Sequence, residues 1–150
     1  MQVSSQISPT RSLLRLGSAE PSGPATSLYL WPFAGGTAHF YQNWGLRKLE
    51  DISSYAIELP GRGLRLREAP IPEMSKMVED ALSSVVPVLE RPFAFFGHSM
   101  GALLAFEVTR RLREMGLPLP CHLFVSACRA PHLAARNRPW HPLPEDELIA

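Results

Sequence analysis

Gly97-His98-Ser99-Met100-Gly101 is the segment of the chain best suited to do chemistry. It fits G-x-S-x-G, a spacing with a physical cause. A serine at a very tight strand-to-helix turn takes a strained backbone, and glycines on either side leave room for neighbouring strand and helix atoms. The turn lifts the hydroxyl above the carboxyl edge of a sheet and sets it at a helix N-terminus, where free amides favour developing negative charge. Ser99 is therefore the candidate nucleophile, and Gly97 and Gly101 are the glycines of its turn. A plainer reading is a glycine-rich turn with an ordinary N-cap serine. By chance the bare pattern is expected about 0.06 times in a chain of this composition, so its surroundings must decide.

Those surroundings fit. Pro92–Phe96 (PFAFF) reads as a buried strand ending just before the motif. After it, Leu104, Val108, Leu112 and Met115 form an apolar helical stripe, with Glu107–Arg111 and Arg110–Glu114 at i,i+4 and a stop at Gly116 and Pro118. Upstream, Ser27–Phe33 reads as a strand running into Ala34-Gly35-Gly36, His39–Glu50 as a short helix and Tyr55–Leu59 as a second strand stopped by Pro60-Gly61. Glu73–Leu89 has helical spacing, with Pro87 expected to kink its last turn. Its Met74 and Met77 read as core filling. Cys121–Ala127 reads as a fourth buried strand. Strands alternating with helices imply an α/β fold, a mostly parallel sheet with flanking helices. Residues 1–26, rich in Ser, Pro and Gly, read as a flexible leader that faintly resembles an organelle transit peptide, and residues 27–150 as the folded domain.

Composition narrows the class. The 150 residues are 45% hydrophobic and 19% charged with a net charge of +1. That balance gives no footprint for nucleic acid or a membrane surface, and no apolar run approaches a bilayer span. Cys121 and Cys128 have neither a metal-binding spacing nor the number to staple a secreted scaffold, so no metal is expected and the expected compartment is the reducing cytoplasm. Cys128 itself reads as an inert thiol.

An oxyanion hole on this architecture needs the amide after the nucleophile, that of Met100, and another from an earlier strand–helix loop, for which Phe33-Ala34-Gly35-Gly36 qualifies. The runs LYLWPFAGGTAHFY, ELPGRG, FAFFGHSMGALLAFEVTRRL and VSACRAP, in that order, resemble the stand-alone type II thioesterases of polyketide and nonribosomal peptide synthesis, themselves similar to the medium-chain fatty acid synthase thioesterase. The resemblance implies an α/β-hydrolase fold with Ser99 as nucleophile and oxyanion amides from Ala34 and Met100. It implies acyl thioesters carried on the phosphopantetheine of an acyl or peptidyl carrier protein, the arm belonging to the carrier and no cofactor to the enzyme. A serine esterase acting on oxygen esters and a non-catalytic remnant that docks carrier proteins are the alternatives.

The chain departs from that pattern after the elbow. The fold's order is Ser, then Asp or Glu, then His, yet the only Asp after Ser99 is Asp146 and the histidines are His122, His132 and His141. None stands where a base is expected, and residues from about 129 resemble the start of a lid. The expectation is an N-terminal portion truncated before the last strands, since such a domain runs to roughly 200–250 residues, and hence impaired turnover and an apolar sheet edge. His98 is expected to pack into the scaffold; His39 is a candidate for the substrate cleft. Arg62, Arg65 and Arg67 could meet a phosphate, or simply be solvated beside Glu68 and Glu73.

Overall fold

The computed structural model describes residues 12–16, 26–49, 51–89 and 92–130. Among these residues five strands make one sheet: β1 (Leu13–Arg15), β2 (Thr26–Trp31), β3 (Ile52–Ile57), β4 (Phe93–His98) and β5 (His122–Ser126), in the order β1-β3-β2-β4-β5. β1 runs antiparallel to β3 and the other three pairings are parallel. The α/β expectation of a mostly parallel sheet therefore holds.

Side-chain alternation along the central strand explains the two layers. Tyr29 and Trp31 of β2, with Phe93 and Phe95 of β4, face the helices α1 (Met74–Val85) and α2 (Met100–Glu114), which bring Val78, Ala81 and Val85, and Leu104, Val108 and Leu112. Leu30 and Ala56 face the other way, onto Ala38 and Tyr41 of a 3-10 helix, Ala38–Asn43. β2 is thus covered on both sides, as a central parallel strand requires.

Five elements differ from expectation. The flexible-leader reading fails for residues 12–16. Leu13–Arg15 pairs with Ile57–Tyr55, Leu16 N donates to Ser54 O at 2.9 Å, and Ser12 and Leu16 are buried. Residues 1–11 and 17–25 lie outside the described residues. The single helix expected over His39–Glu50 is two 3-10 pieces, Ala38–Asn43 and Leu46–Lys48, because Gly45 takes a left-handed backbone (φ 70) between them. α1 ends at Val85, and Pro87 sits in a 3-10 turn, Val86–Val88, as its missing amide dictates. β5 is no buried strand: among the described residues it forms the sheet edge, with Phe124 and Val125 exposed. On α2, Met115 is exposed; the expected Arg110–Glu114 pair forms at 4.0 Å, while Arg110 also reaches Glu107 at 3.0 Å and Arg111 turns to Glu114 at 2.7 Å, both spaced i,i+3.

Arg65 also corrects the sequence reading. It is not a solvated loop arginine: its guanidinium forks onto Asp80 of α1 (2.7 Å to each oxygen), and Nη2 reaches Glu68 at 2.6 Å. Hydrogen bonding to Asp80, then to Glu68, holds its pKa above the ordinary arginine value. The Arg65 and Asp80 side chains are 8% and 20% exposed, so removing the cation strands a largely desolvated carboxylate. Arg65→Gln is expected to cost about 3 kcal/mol of stability, read as a lower denaturation midpoint at unchanged slope. A loss under about 1 kcal/mol would instead place the pair among weak surface bridges.

Candidate active site

β2 and β4 are parallel neighbours, with Trp31 opposite Gly97. The chain therefore leaves both strands at the same edge of the sheet: through Pro32–Gly36 after β2, and through Ser99 into α2 after β4.

Ser99 sits at φ 54 and ψ −120, a backbone that non-glycine residues rarely adopt and that costs on the order of 1–3 kcal/mol. Three contacts hold it there. Ser99 N donates to Ser126 O at 2.8 Å, extending the β4–β5 ladder past the strand end, and Ser99 O accepts from Ala102 N at 3.0 Å and Leu103 N at 3.4 Å. Its side chain makes no cap hydrogen bond to the helix, so the ordinary N-cap role is not what this hydroxyl does. The residue is partly exposed. Met100 opens α2, where an amide has no acceptor within the helix.

The glycines of the motif are required by close approach. A Cβ at Gly101 would strike the carbonyl oxygens of Trp31 and Pro32, and one at Gly97 would strike the backbone of Gly101 and Ala102. Without side chains at these positions, α2 rests directly on β2 and β4.

The loop after β2 is fixed at its ends. Tyr41 Oη donates to Trp31 O at 2.8 Å, and burial pushes that phenol up to about 12, so it remains a donor at neutral pH. Gly36 N closes a turn on Phe33 O at 2.9 Å, and Arg62 Nη1 donates to Gly36 O at 3.4 Å. Ala34 and Gly35 are left as an exposed tip. Around this edge lie the rings of Phe33, Phe40, Trp44 and Phe96, successive neighbours packing edge to face.

His98 packs as expected, its ring edge-on to Phe33 (centroids 6.0 Å apart) and Nδ1 3.1 Å from Ser126 Oγ. His39 is exposed on the 3-10 helix after the loop. Among the described residues beyond Ser99, His122 is the only histidine; it stacks on Phe124 at the exposed edge, 5.6 Å between centroids. His132, His141, Asp146 and the lid expected from about 129 onward fall, beyond residue 130, outside the described residues. Cys121 and Cys128 are free and exposed. Of the three arginines, Arg65 is committed to carboxylates, Arg62 to the Gly36 carbonyl, and Arg67 is exposed. The sequence reading missed Glu58, a fully buried carboxylate beside the loop. Its signal was a lone acid inside the apolar run YAIEL.

A family model described as a thioesterase domain matches residues 26–149. The chain is 38% identical over 122 residues to the gramicidin S biosynthesis protein GrsT of Aneurinibacillus migulanus, covering 81% of this chain and 48% of that protein. Against the medium-chain S-acyl fatty acid synthase thioesterase of Homo sapiens it is 34% identical over 124 residues, covering 82% and 45%. Among solved structures it resembles the type II thioesterase BorB from the borrelidin biosynthetic cluster, with a TM-score of 0.77 at 32% identity over 93% of this chain and 56% of that one. The chain spans about half the length of the curated relatives it matches. Among the described residues, no helix is long and apolar enough to cross a membrane.

Proposed function

The chain belongs to the thioesterase domain family, and from that premise we propose that the whole protein hydrolyses acyl thioesters borne on the phosphopantetheine arm of an acyl or peptidyl carrier protein, with Ser99 as nucleophile. The observation that carries this reading is the Ser99 backbone, at φ 54 and ψ −120 between β4 and α2. A strained serine that caps nothing, flanked by glycines whose Cβ would strike neighbouring backbone, suits nucleophilic attack.

In this mechanism Ser99 Oγ adds to the thioester carbonyl and its proton passes to a base. The tetrahedral oxyanion is received by the amides of Met100 and Ala34. Met100 N is suited because it opens a helix, and Ala34 because it lies at the tip of a loop anchored on both sides. The intermediate collapses as the carbon–sulfur bond breaks and the thiolate leaves. A free thiol has a pKa of about 8.5, so the departing sulfur needs little protonation. Water then attacks the acyl-enzyme, releasing a carboxylic acid and restoring the serine. The acid and the histidine base belong, by the order of the fold, after the nucleophile. No cofactor of the enzyme's own enters these steps, since the phosphopantetheine arrives with the carrier. Sequence kinship to GrsT and likeness to BorB support the carrier-bound substrate class. Free, exposed cysteines suit a reducing compartment, the cytoplasm.

Rates on an acyl-pantetheine and on the matched oxygen ester test the substrate class. The thioester is expected to show the higher kcat/KM. Preference for the oxygen ester would make the protein an esterase, and carrier binding without turnover of either would make it a docking module.

A further inference from the structure

Glu58 stands immediately after β3, and its side chain is wholly buried. A carboxylate taken out of water must be satisfied by hydrogen bonds. Its two oxygens serve two different segments: Oε1 accepts from Ala38 N at 3.2 Å, and Oε2 from Leu64 N at 3.3 Å. The residue's backbone is also held, because Glu58 N donates to Ser12 O at 2.8 Å and Glu58 O accepts from Arg65 Nη1 at 3.2 Å. Gly63 packs directly against the carboxylate, where any Cβ would overlap it. Arg65, through Asp80, anchors the Gly63–Arg65 turn to α1.

Ala38 opens the 3-10 helix that follows the loop, and Thr37 before it makes no side-chain cap. The first amide of this helix, which has no acceptor within the helix, is thus taken by a carboxylate from another strand end. Counted back from Ala38, the backbone is next held at Gly36, its carbonyl by Arg62 and its amide by the Phe33 carbonyl, and then at Trp31 O by Tyr41. Ala34 lies between those fixed points.

We propose that Glu58, seconded by Arg62, is a positioning residue for the oxyanion loop, fixing where the Ala34 amide stands relative to that of Met100. The inference rests on the reading of Ser99 as nucleophile and of Ala34 as oxyanion donor. Glu58 touches no reacting atom; it acts through Ala38 N. Glu58→Gln keeps volume but turns an amide group toward one of the two backbone N–H donors, so one clamp is lost.

The test uses the whole protein with an acyl-pantetheine substrate. Sites are counted by labelling to completion with a fluorophosphonate, and an acyl trifluoromethyl ketone, whose serine adduct bears an oxyanion, supplies an inhibition constant. Glu58→Gln is expected to lower kcat per labelled site by about 30-fold, the scale of a sub-ångström displacement of an oxyanion donor. KM should stay within about twofold, and ketone binding should weaken by the same factor as kcat. A side chain that only stabilised the fold would lower the number of labelled sites but leave kcat per site and the ketone constant unchanged, and that result overturns the proposal. Ser99→Ala in parallel separates the two layers. If it is inactive while Glu58→Gln is normal per site, only the positioning role fails; if it turns over, the nucleophile reading fails first. Should Glu58→Gln not fold, the partly exposed Arg62→Gln carries the same comparison. It is expected to lower kcat per site about threefold through loss of one hydrogen bond, and an unchanged kcat overturns the proposal.

Discussion

Gly101→Ala is expected to cost both stability and turnover. The added methyl would meet the carbonyl oxygens of Trp31 and Pro32, which are backbone atoms and have nowhere to swing. Alanine is intrinsically better than glycine in a helix by about 1 kcal/mol, so helix propensity alone predicts a gain. Overpacking a tight contact costs about 1–3 kcal/mol, occasionally more, and contact with main chain on a buried helix face belongs at the upper end. The collision therefore wins, for a net loss of about 2 kcal/mol. Catalysis should suffer more. Relief comes from α2 sliding away from the end of β2, which separates the Met100 amide from the Ala34 loop. A misplacement of about 1 Å costs about 10²-fold, so kcat/KM should fall by about that factor. Denaturation and steady-state kinetics on the same preparation check both. A stabilised, fully active variant would mean that the helix does not rest on Trp31 and Pro32 as described.

The second large effect concerns Ser99 itself, and its two consequences have opposite signs. Ser99→Ala should lower kcat by about 10⁴–10⁶-fold, leaving only what the oxyanion amides and binding supply. Alanine tolerates φ 54 no better than serine, so the fold should be unchanged. Ser99→Gly should be as inactive, yet more stable. It relieves about 1–3 kcal/mol of backbone strain and gives back about 0.5–1 kcal/mol through the entropy of the unfolded chain, for a net gain of about 1 kcal/mol. Thermal melts of the two variants beside the parent test this. If glycine melts no higher than alanine, the elbow is not strained.

Much of this arrangement was legible in the residues. The strand before Gly97, the helix after Met100 and the two glycines follow from local patterns, because each is fixed by contacts within a few positions or by backbone approach that only glycine permits. What escaped the sequence depends on distant partners. Leu13–Arg15 is too short to display a period and becomes a strand only because β3 offers an unpaired edge. Cys121–Ala127 is as apolar as the central strands, and periodicity cannot report that, among the described residues, β5 pairs with β4 alone. Glu58 and Arg65 resemble surface charges in a list of residues; their roles arise when the loop at 61–66 folds back over the end of β3. The expected base and acid gave no signal among the described residues, since the fold brings them to the serine from later in the chain.

If Ser99 is the nucleophile, an acyl group must become bonded to its hydroxyl oxygen during turnover. Mixing the whole protein with an acyl-pantetheine, quenching within the first turnover and mapping the digested peptides by mass measures that bond directly. The expected result is an added acyl mass on the peptide containing Ser99, absent from Ser99→Ala. Thioester turnover with no acyl group on Ser99, or with the group on another side chain, would contradict it.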